Sequence, residues 1–334
     1  MCQKMPTLGK KTIRFSGGLI IGILLILPIQ LFGWGFTAHK QINNTAVFTL
    51  PLPLFSFYKK HIDEITDKAV NADMRRYIVP TEACRHYLDA DHYEKKVPLD
   101  TIPQQWKMAI LKYSEDTLRT YGIVPWNLIM IKYQLTKAFE TKNLRMIIKL
   151  SADLGHYAGD LHVPLHSTEN YNGQLTGQEG IHGLWESRVF ELFQKDYDML
   201  TGRAIYINDL HQTIWERFSQ SYAALDSVLL FERLAGAAIP DRYQMVQKGN
   251  TITKVYNEKF CTYYHQLLHG MVERRFRASI DLVGSLWYTA WVDAGQPDLS
   301  QLKEEEIPVD EKNEDGILQT LWQKGQILGR KEEH

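Results

Sequence analysis

Gly155-His156-Tyr157-Ala158-Gly159-Asp160-Leu161-His162-Val163-Pro164-Leu165-His166 is the stretch that decides how this 334-residue chain is read. It closes an apolar i, i+3, i+4 pattern that runs from Leu144 to Leu161 and predicts a helix. Residues four apart share one helix face, so His156 and Asp160 can point at a single ion. Pro164 ends the helix, and His166 falls on the following turn, where it can serve a neighbouring ion. Downstream, Ile181-His182-Gly183-Leu184-Trp185-Glu186 repeats the spacing with His182 and Glu186. One such pair arises by chance on ordinary helix surfaces. Two pairs with His166 between them point to a metal site. Zinc favours nitrogen and carboxylate-oxygen ligands, and a catalytic zinc keeps a position for water.

Working outward, Ile102–Thr120, Asn127–Thr141, Ile181–Gln194, Ile207–Arg233 and Thr253–Asp293 carry the same helical period. No sustained period-two alternation is evident, so the expected fold is all-α, a single multi-helix domain without a sheet. The break 167–180, with Asn170, Asn172, Gly173, Gly177 and Gly180, reads as a loop between the two metal-type runs. Beyond Asp293 the composition turns acidic. Residues 295–334 are expected to be a solvated tail closed by a short docked helix from Ile317 to Leu328.

The amino-terminal segment reads as an export signal. Lys4, Lys10, Lys11 and Arg14 precede an apolar run from Leu19 to Phe32, and Gly33 is a small residue at the cleavage point. The alternative is an uncleaved anchor over Gly17–Phe36, interrupted by Pro28 and Gln30. Cleavage after residue 33 removes four of 38 basic residues and none of 39 acidic ones, leaving a mature net charge of about −5. That is no nucleic-acid-binding basic footprint. Cys84 and Cys261 can pair in an oxidising compartment, but two cysteines make no disulfide scaffold. The mature protein is expected in the periplasm or outside the cell, as a monomer without a stable protein partner.

Asp73 lies in Asn71-Ala72-Asp73-Met74-Arg75-Arg76, and His86 in Cys84-Arg85-His86-Tyr87-Leu88-Asp89. With these added, the chain resembles the superfamily that joins S1/P1-type nucleases to the bacterial zinc phospholipases C. The resemblance covers most of 34–294, including the Arg- and Trp-bearing helix Arg274–Trp291. His156, Asp160, Pro164 and His166 match the family's His-x-x-x-Asp-x-x-x-Pro-x-His motif in full. The resemblance implies three zinc ions. One is held by Asp73, His86, His156 and Asp160, and a second by His166, His182 and Glu186. The third is held by His39, by Asp160 as a bridge, and by the α-amine and carbonyl of Trp34 once cleavage makes it the first residue. It also gives Asp73 a part in orienting water and Arg76 a part in stabilising the transition state of a phosphate ester.

The substrate is less constrained. The Trp34–His39 step and the Asp73/Arg76 pair look like the nuclease branch. There Tyr87 would stack on a base and Asp89 would read its edge, at about 1–3 kcal/mol per stacked base. Glu186 and the short loop before His182 look like the phospholipase branch. Met74 and Ala83, however, stand where choline-specific enzymes place the aromatic rings of a cation–π cage. The expectation is a secreted phospholipase-C-like zinc phosphodiesterase acting on phospholipid, with a nuclease for single-stranded DNA or RNA as the alternative. A third reading is a non-enzymatic exported helical zinc-binding protein. Structural zinc sites are usually closed and Cys-rich, unlike this set of histidines and carboxylates. A di-iron bundle would need paired Glu-x-x-His copies on separate helices, which the sequence lacks. His162 is expected to support the site or be exposed. His265 and His269 are not expected to bind metal, and Trp287 and Trp291 are expected in the core.

Overall fold

The computed structural model describes residues 35–97, 99–248, 251–300, 302, 317, 318 and 320. Residues 1–33, expected to be an export signal, Trp34 and the acidic run 303–316 lie outside them. In chain order the helices are α1 Gly35–Ala46, α2 Leu52–Lys60, α3 Ile62–Asp67, α4 Asn71–Arg75, α5 Ala90–Tyr93, α6 Trp106–Tyr113 and α7 Glu115–Tyr121. They continue with α8 Val124–Glu140, α9 Leu144–Leu161, α10 Ile181–Gly183, α11 Phe190–Phe193, α12 Leu210–Ala238, α13 Glu258–Leu267 and α14 Met271–Asp293. A π-turn at Leu184–Val189 joins α10 to α11. No helix among the described residues is long and apolar enough to cross a membrane. The protein is mostly helical, as the periodicity predicts.

Helix α9 is the centre. Asn143 caps its start, with the side-chain oxygen accepting from the Met146 N–H at 3.1 Å. Every residue from Leu150 to Thr168 is buried. A helix buried all round is usually apolar. This one carries Asp153, His156, Asp160 and His162 inward, and each of those groups needs a partner. Helices α1, α8 and α14 pack around it. The close approach of α1 depends on two glycines. A Cβ on Gly155 would stand 1.7 Å from Asn43 Oδ1, and one on Gly159 would stand 2.8 Å from His39 Nδ1. Asn43 in turn donates to the Ala152 carbonyl at 3.2 Å and the Ile65 carbonyl at 3.3 Å. Gly155→Ala is expected to destabilise by about 1–3 kcal/mol despite alanine's better helix propensity, because overpacking outweighs it. A urea melt that showed stabilisation would contradict this packing.

From α14, Arg275 reaches the C-terminal end of α9 and donates Nε to the His162 carbonyl at 3.0 Å. A cation there satisfies an end carbonyl and complements the helix dipole. Burial and Arg217 pull its pKa down to about 10, so it stays charged at neutral pH. Trp287 is fully buried, stacks on Tyr58 at 4.6 Å and donates Nε1 to the Ser151 carbonyl at 3.1 Å. Trp291 is also buried, so both tryptophans belong to the core as expected.

Several expectations fail. The stretch Thr253–Asp293 is not one helix, and a sheet exists. Tyr243–Lys248 (β1) and Thr251–Tyr256 (β2) pair antiparallel, with Tyr243 opposite Tyr256 and Lys248 opposite Thr251. Asn257 then caps α13 by accepting from the Phe260 N–H at 2.9 Å. His269 and Gly270, at φ 47° and 72°, separate α13 from α14. Likewise Ser114 at φ 69° splits Ile102–Thr120 into α6 and α7, its hydroxyl accepting from the Thr117 N–H at 3.3 Å. Cys84 and Cys261 do not pair; both are free and buried. From the tail, Leu318 is buried against Phe36, Val70 and Met74, while Ile317 is half exposed.

Candidate metal centre

Seven structural elements bring the site together. α1 supplies His39 and α4 supplies Asp73. The turn Ala83–Arg85 leads into His86. α9 and the turn Pro164–Ser167 after it supply His156, Asp160 and His166. α10 and its π-continuation supply His182 and Glu186. None of these eight residues is more than 6% exposed. They form three groups whose ligand atoms lie within 4.8 Å of one another: His39 with His156 and Asp160, Asp73 with His86 and His156, and His166 with His182 and Glu186. Each of these buried groups can hold a metal ion. Of the nine ligands expected from sequence, eight are therefore brought together, and Trp34 lies outside the described residues.

Asp160 links the groups. Its Oδ2 lies 3.0 Å from His86 Nδ1 and 3.3 Å from His156 Nε2, while Oδ1 lies 3.4 Å from His39 Nε2 and 3.9 Å from His166 Nδ1. Asp73 Oδ1 stands 3.6 Å from both His86 Nδ1 and His156 Nε2. Glu186 Oε2 is 2.7 Å from His182 Nε2 and 3.5 Å from His166 Nε2; its Oε1 is 3.6 Å from His39 Nε2. The His39 ring also stacks on His156 at 4.0 Å.

The tautomers show why this pocket calls for cations. His156 donates Nδ1–H to the Ala69 carbonyl at 2.8 Å, and His166 donates Nδ1–H to the His86 carbonyl at 2.8 Å. In the neutral rings each Nε2 is then a lone pair. The His156 lone pair faces His86 Nδ1 at 3.1 Å, and that of His166 faces His182 Nε2 at 3.1 Å. Lone pairs turned on one another and on carboxylates repel unless a proton or metal ion lies between them. Burial opposes charging His156, yet Asp160 and Asp73 raise its pKa to about 9. Against the effect of burial, His156 and His166 hold Asp160 well below the usual carboxylate range. Hydrogen bonds from His166, His182 and His39 do the same for Glu186. A cavity of about 40 Å³ lies behind His39 and Glu186, walled by Ile42, Trp185, Phe190 and Phe276. Most of its lining is apolar, with Arg275 and His162 also on its wall.

A proton-linked prediction rests on His156. Below pH 9 the metal-free ring carries a proton that a metal must displace, so apparent affinity rises with pH until about 9. Calorimetric titration of metal at pH 7 in two buffers of different ionisation enthalpy is expected to give different heats. Equal heats would show that no proton leaves.

Arg76 is fully buried with Nη1 4.0 Å from Asp73 Oδ1. Tyr87 and Asp89 lie on the strip between His86 and α5, and both are buried. The Tyr87 hydroxyl donates to the Thr120 carbonyl at 3.4 Å. His162 is buried, with Nδ1 on the Ala158 carbonyl at 2.7 Å. His265 stacks on Phe193 at 4.2 Å, outside the three metal-type groups.

Sequence reasoning missed the frame behind the ligands. Arg75 donates Nη1 to Asp153 Oδ1 at 3.0 Å and Nη2 to Glu82 Oε1 at 3.3 Å. Tyr157 donates its hydroxyl to Glu82 as well. Asn172, in the 167–180 loop, accepts from the Gly180 and His182 backbone N–H groups at 3.0 and 3.4 Å and so sets the start of α10. The one sequence signal for that frame was a run of charged residues, Arg75, Arg76, Glu82 and Arg85, crowded around two ligands. Compared with known proteins, the chain matches no family model, and no curated protein is significantly similar to it.

Proposed function

We propose that this chain is an exported zinc-dependent phosphodiesterase of the superfamily joining S1/P1 nucleases to zinc phospholipases C, with phospholipid as its substrate class. The observation that carries the reading is Asp160, whose two oxygens are divided between the His86/His156 side and the His39/His166 side of one buried pocket. A carboxylate shared in this way suits neighbouring ions held by one ligand set. The donors are imidazole nitrogen and carboxylate oxygen without thiolate, which suits zinc at a catalytic rather than a Cys-rich structural site.

Three zincs are proposed. Asp73, His86, His156 and Asp160 would hold one, and His166, His182 and Glu186 a second. His39 and Asp160 would hold the third together with the amine and carbonyl of Trp34. When bound, zinc supplies Lewis-acid polarisation of a phosphoryl oxygen and lowers the pKa of water. The chain's own residues do the rest. Asp73 orients water by accepting its hydrogen. Arg76, buried and fixed beside Asp73, offers a positive charge to the phosphate as its charge redistributes.

Tyr87 weighs against the base-stacking part of the nuclease reading. Base stacking needs an open ring face, and Tyr87 as a residue is 6% exposed with its hydroxyl on the Thr120 carbonyl. The nuclease reading keeps one observation in its favour, the Arg76–Asp73 pair.

The test assays mature protein, purified with its metals, on single-stranded DNA and RNA and on phospholipid vesicles. Diacylglycerol release is the expected result. Nucleotide release with inert vesicles would transfer the protein to the nuclease branch, and no hydrolysis of either would overturn the enzymatic reading.

A further inference from the structure

Glu82 belongs to none of the three ligand groups, yet it is a fully buried carboxylate four residues before His86. The geometry points to Glu82 as the positioning residue of the His86 ring, an anion that holds the ring's outer N–H while its inner nitrogen binds metal. This rests on the metal reading above. His86 Nδ1 is the nitrogen turned inward, toward Asp160, His156 and Asp73. Its Nε2 makes no hydrogen bond and faces Glu82 Oε1 at 3.8 Å. A metal on Nδ1 needs that atom's lone pair, which puts the ring proton on Nε2, directed at the carboxylate. At 3.8 Å the two atoms are too far apart to bond, and a ring shift of about 1 Å brings them into range.

Glu82 is fixed independently of His86. Its Oε1 accepts from the Tyr157 hydroxyl and from Arg75, and its Oε2 accepts from Arg85 at 3.3 Å. Arg75 is bonded to Asp153, one turn before His156, and Tyr157 follows His156 in the chain. Tyr157 also meets the His86 ring edge-on at 5.1 Å. The frame that holds Glu82 therefore registers His86 against the α9 ligands. Carboxylates behind metal-bound histidines fix the tautomer and raise ligand basicity, and losing one typically costs 10–100-fold in metal affinity.

The test measures zinc affinity of the full mature protein by chelator competition. Cobalt substitution separates the two subsites by their visible spectra. Glu82→Gln is expected to weaken the Asp73/His86/His156/Asp160 subsite 10–100-fold and leave the His166/His182/Glu186 subsite unchanged. A purely structural ion-pair role would instead lower the melting temperature of the metal-free protein without that selectivity. Affinity within twofold of wild type, or equal loss at both subsites, overturns the proposal. Should Glu82→Gln not fold, Glu82→Asp retracts the carboxylate by one methylene. A smaller loss at the same subsite is then expected, and unchanged affinity overturns the proposal. Wild-type protein that takes up no zinc would overturn the metal reading itself, a result distinct from zinc-binding protein indifferent to Glu82.

Discussion

Asp160→Asn is expected to release two of the bound metals together and to cut phosphodiester hydrolysis by at least about 10³-fold. The expectation comes from how the carboxylate is divided. One oxygen lies within 3.3 Å of the His86 and His156 nitrogens, and the other is 3.4 Å from His39. Asparagine keeps the shape but has a single carbonyl oxygen and turns an N–H₂ toward one side. One subsite would then face a donor where it needs an acceptor. The lost negative charge also served a pocket crowded with histidines, whose pull holds Asp160 well below the usual carboxylate range. Removing a single electrostatic stabiliser from a catalytic site costs about 10²–10³-fold in rate. A ligand common to two ions should exceed that. Metal content of dialysed variant and turnover of the same sample decide the matter. Full metal content would sink the bridging role, and loss confined to one subsite would reduce Asp160 to an ordinary ligand.

The second large effect is on stability. Arg75→Leu is expected to destabilise the metal-free protein by about 3–5 kcal/mol, the usual result of leaving buried partners of an ion pair uncompensated. Arg75 is the buried charge shared by Asp153 and Glu82, both buried themselves, and Glu82 also has beside it the more exposed Arg85 at 3.3 Å. Lys149 also touches Asp153 at 3.3 Å, but its side chain is 42% exposed and contributes little. Burial alone would push both carboxyl pKa values up. Arg75 in first place, with Lys149 aiding Asp153 and His86 aiding Glu82, pulls them below their ordinary values. The sign of the pH dependence is set by that depression. Groups with depressed folded pKa values contribute fully above the unfolded carboxyl range near 4, and that contribution fades as pH falls through the folded values. The stability gap between wild type and Arg75→Leu should therefore be widest near neutral pH and narrow below about pH 4. Urea melts at pH 7 and pH 3.5 check this. A gap under about 1 kcal/mol at pH 7 would mean that Arg75 is not what stabilises these carboxylates.

Much of the fold was legible where a helix advertises itself locally. The limits of α9, Leu144–Leu161, match the apolar period residue for residue, because Asn143 caps one end and Pro164 lies just past the other. The breaks were not legible where a residue takes an uncommon backbone conformation. Ser114 and His269 both sit at positive φ, which neither side chain announces. The hairpin did leave a signal. Gly249-Asn250 lies between Lys248 and Thr251, and two residues of that type before the β-branched run Thr251–Val255 favour a tight hairpin turn. The helical period of the adjoining segment, from Glu258 onward, concealed it.

The site divides in the same way. The pairs His156/Asp160 and His182/Glu186 are local, so helical spacing exposed them. His39, Asp73 and His86 entered through the resemblance alone, since nothing in their own neighbourhoods fixes what they face. The frame of Arg75, Glu82, Asp153 and Tyr157 left only a crowding of charges in the sequence, because the bonds that tie it to α9 join residues 75 to 82 positions apart and only Arg75–Glu82 is local. Packing, not spacing, pairs them. Burial of Tyr87 was hidden for the same reason, as it depends on the approach of Gly122 to the Tyr87 carbonyl.

The central claim is that these histidines and carboxylates form one multinuclear zinc centre. Anomalous diffraction on crystals of the mature protein, recorded on both sides of the zinc absorption edge, tests it most directly. Three zinc peaks are predicted: one among Asp73, His86, His156 and Asp160, one among His166, His182 and Glu186, and one beside His39 and Asp160. Density at these places without an anomalous zinc signal, in protein purified with its metals, would contradict it.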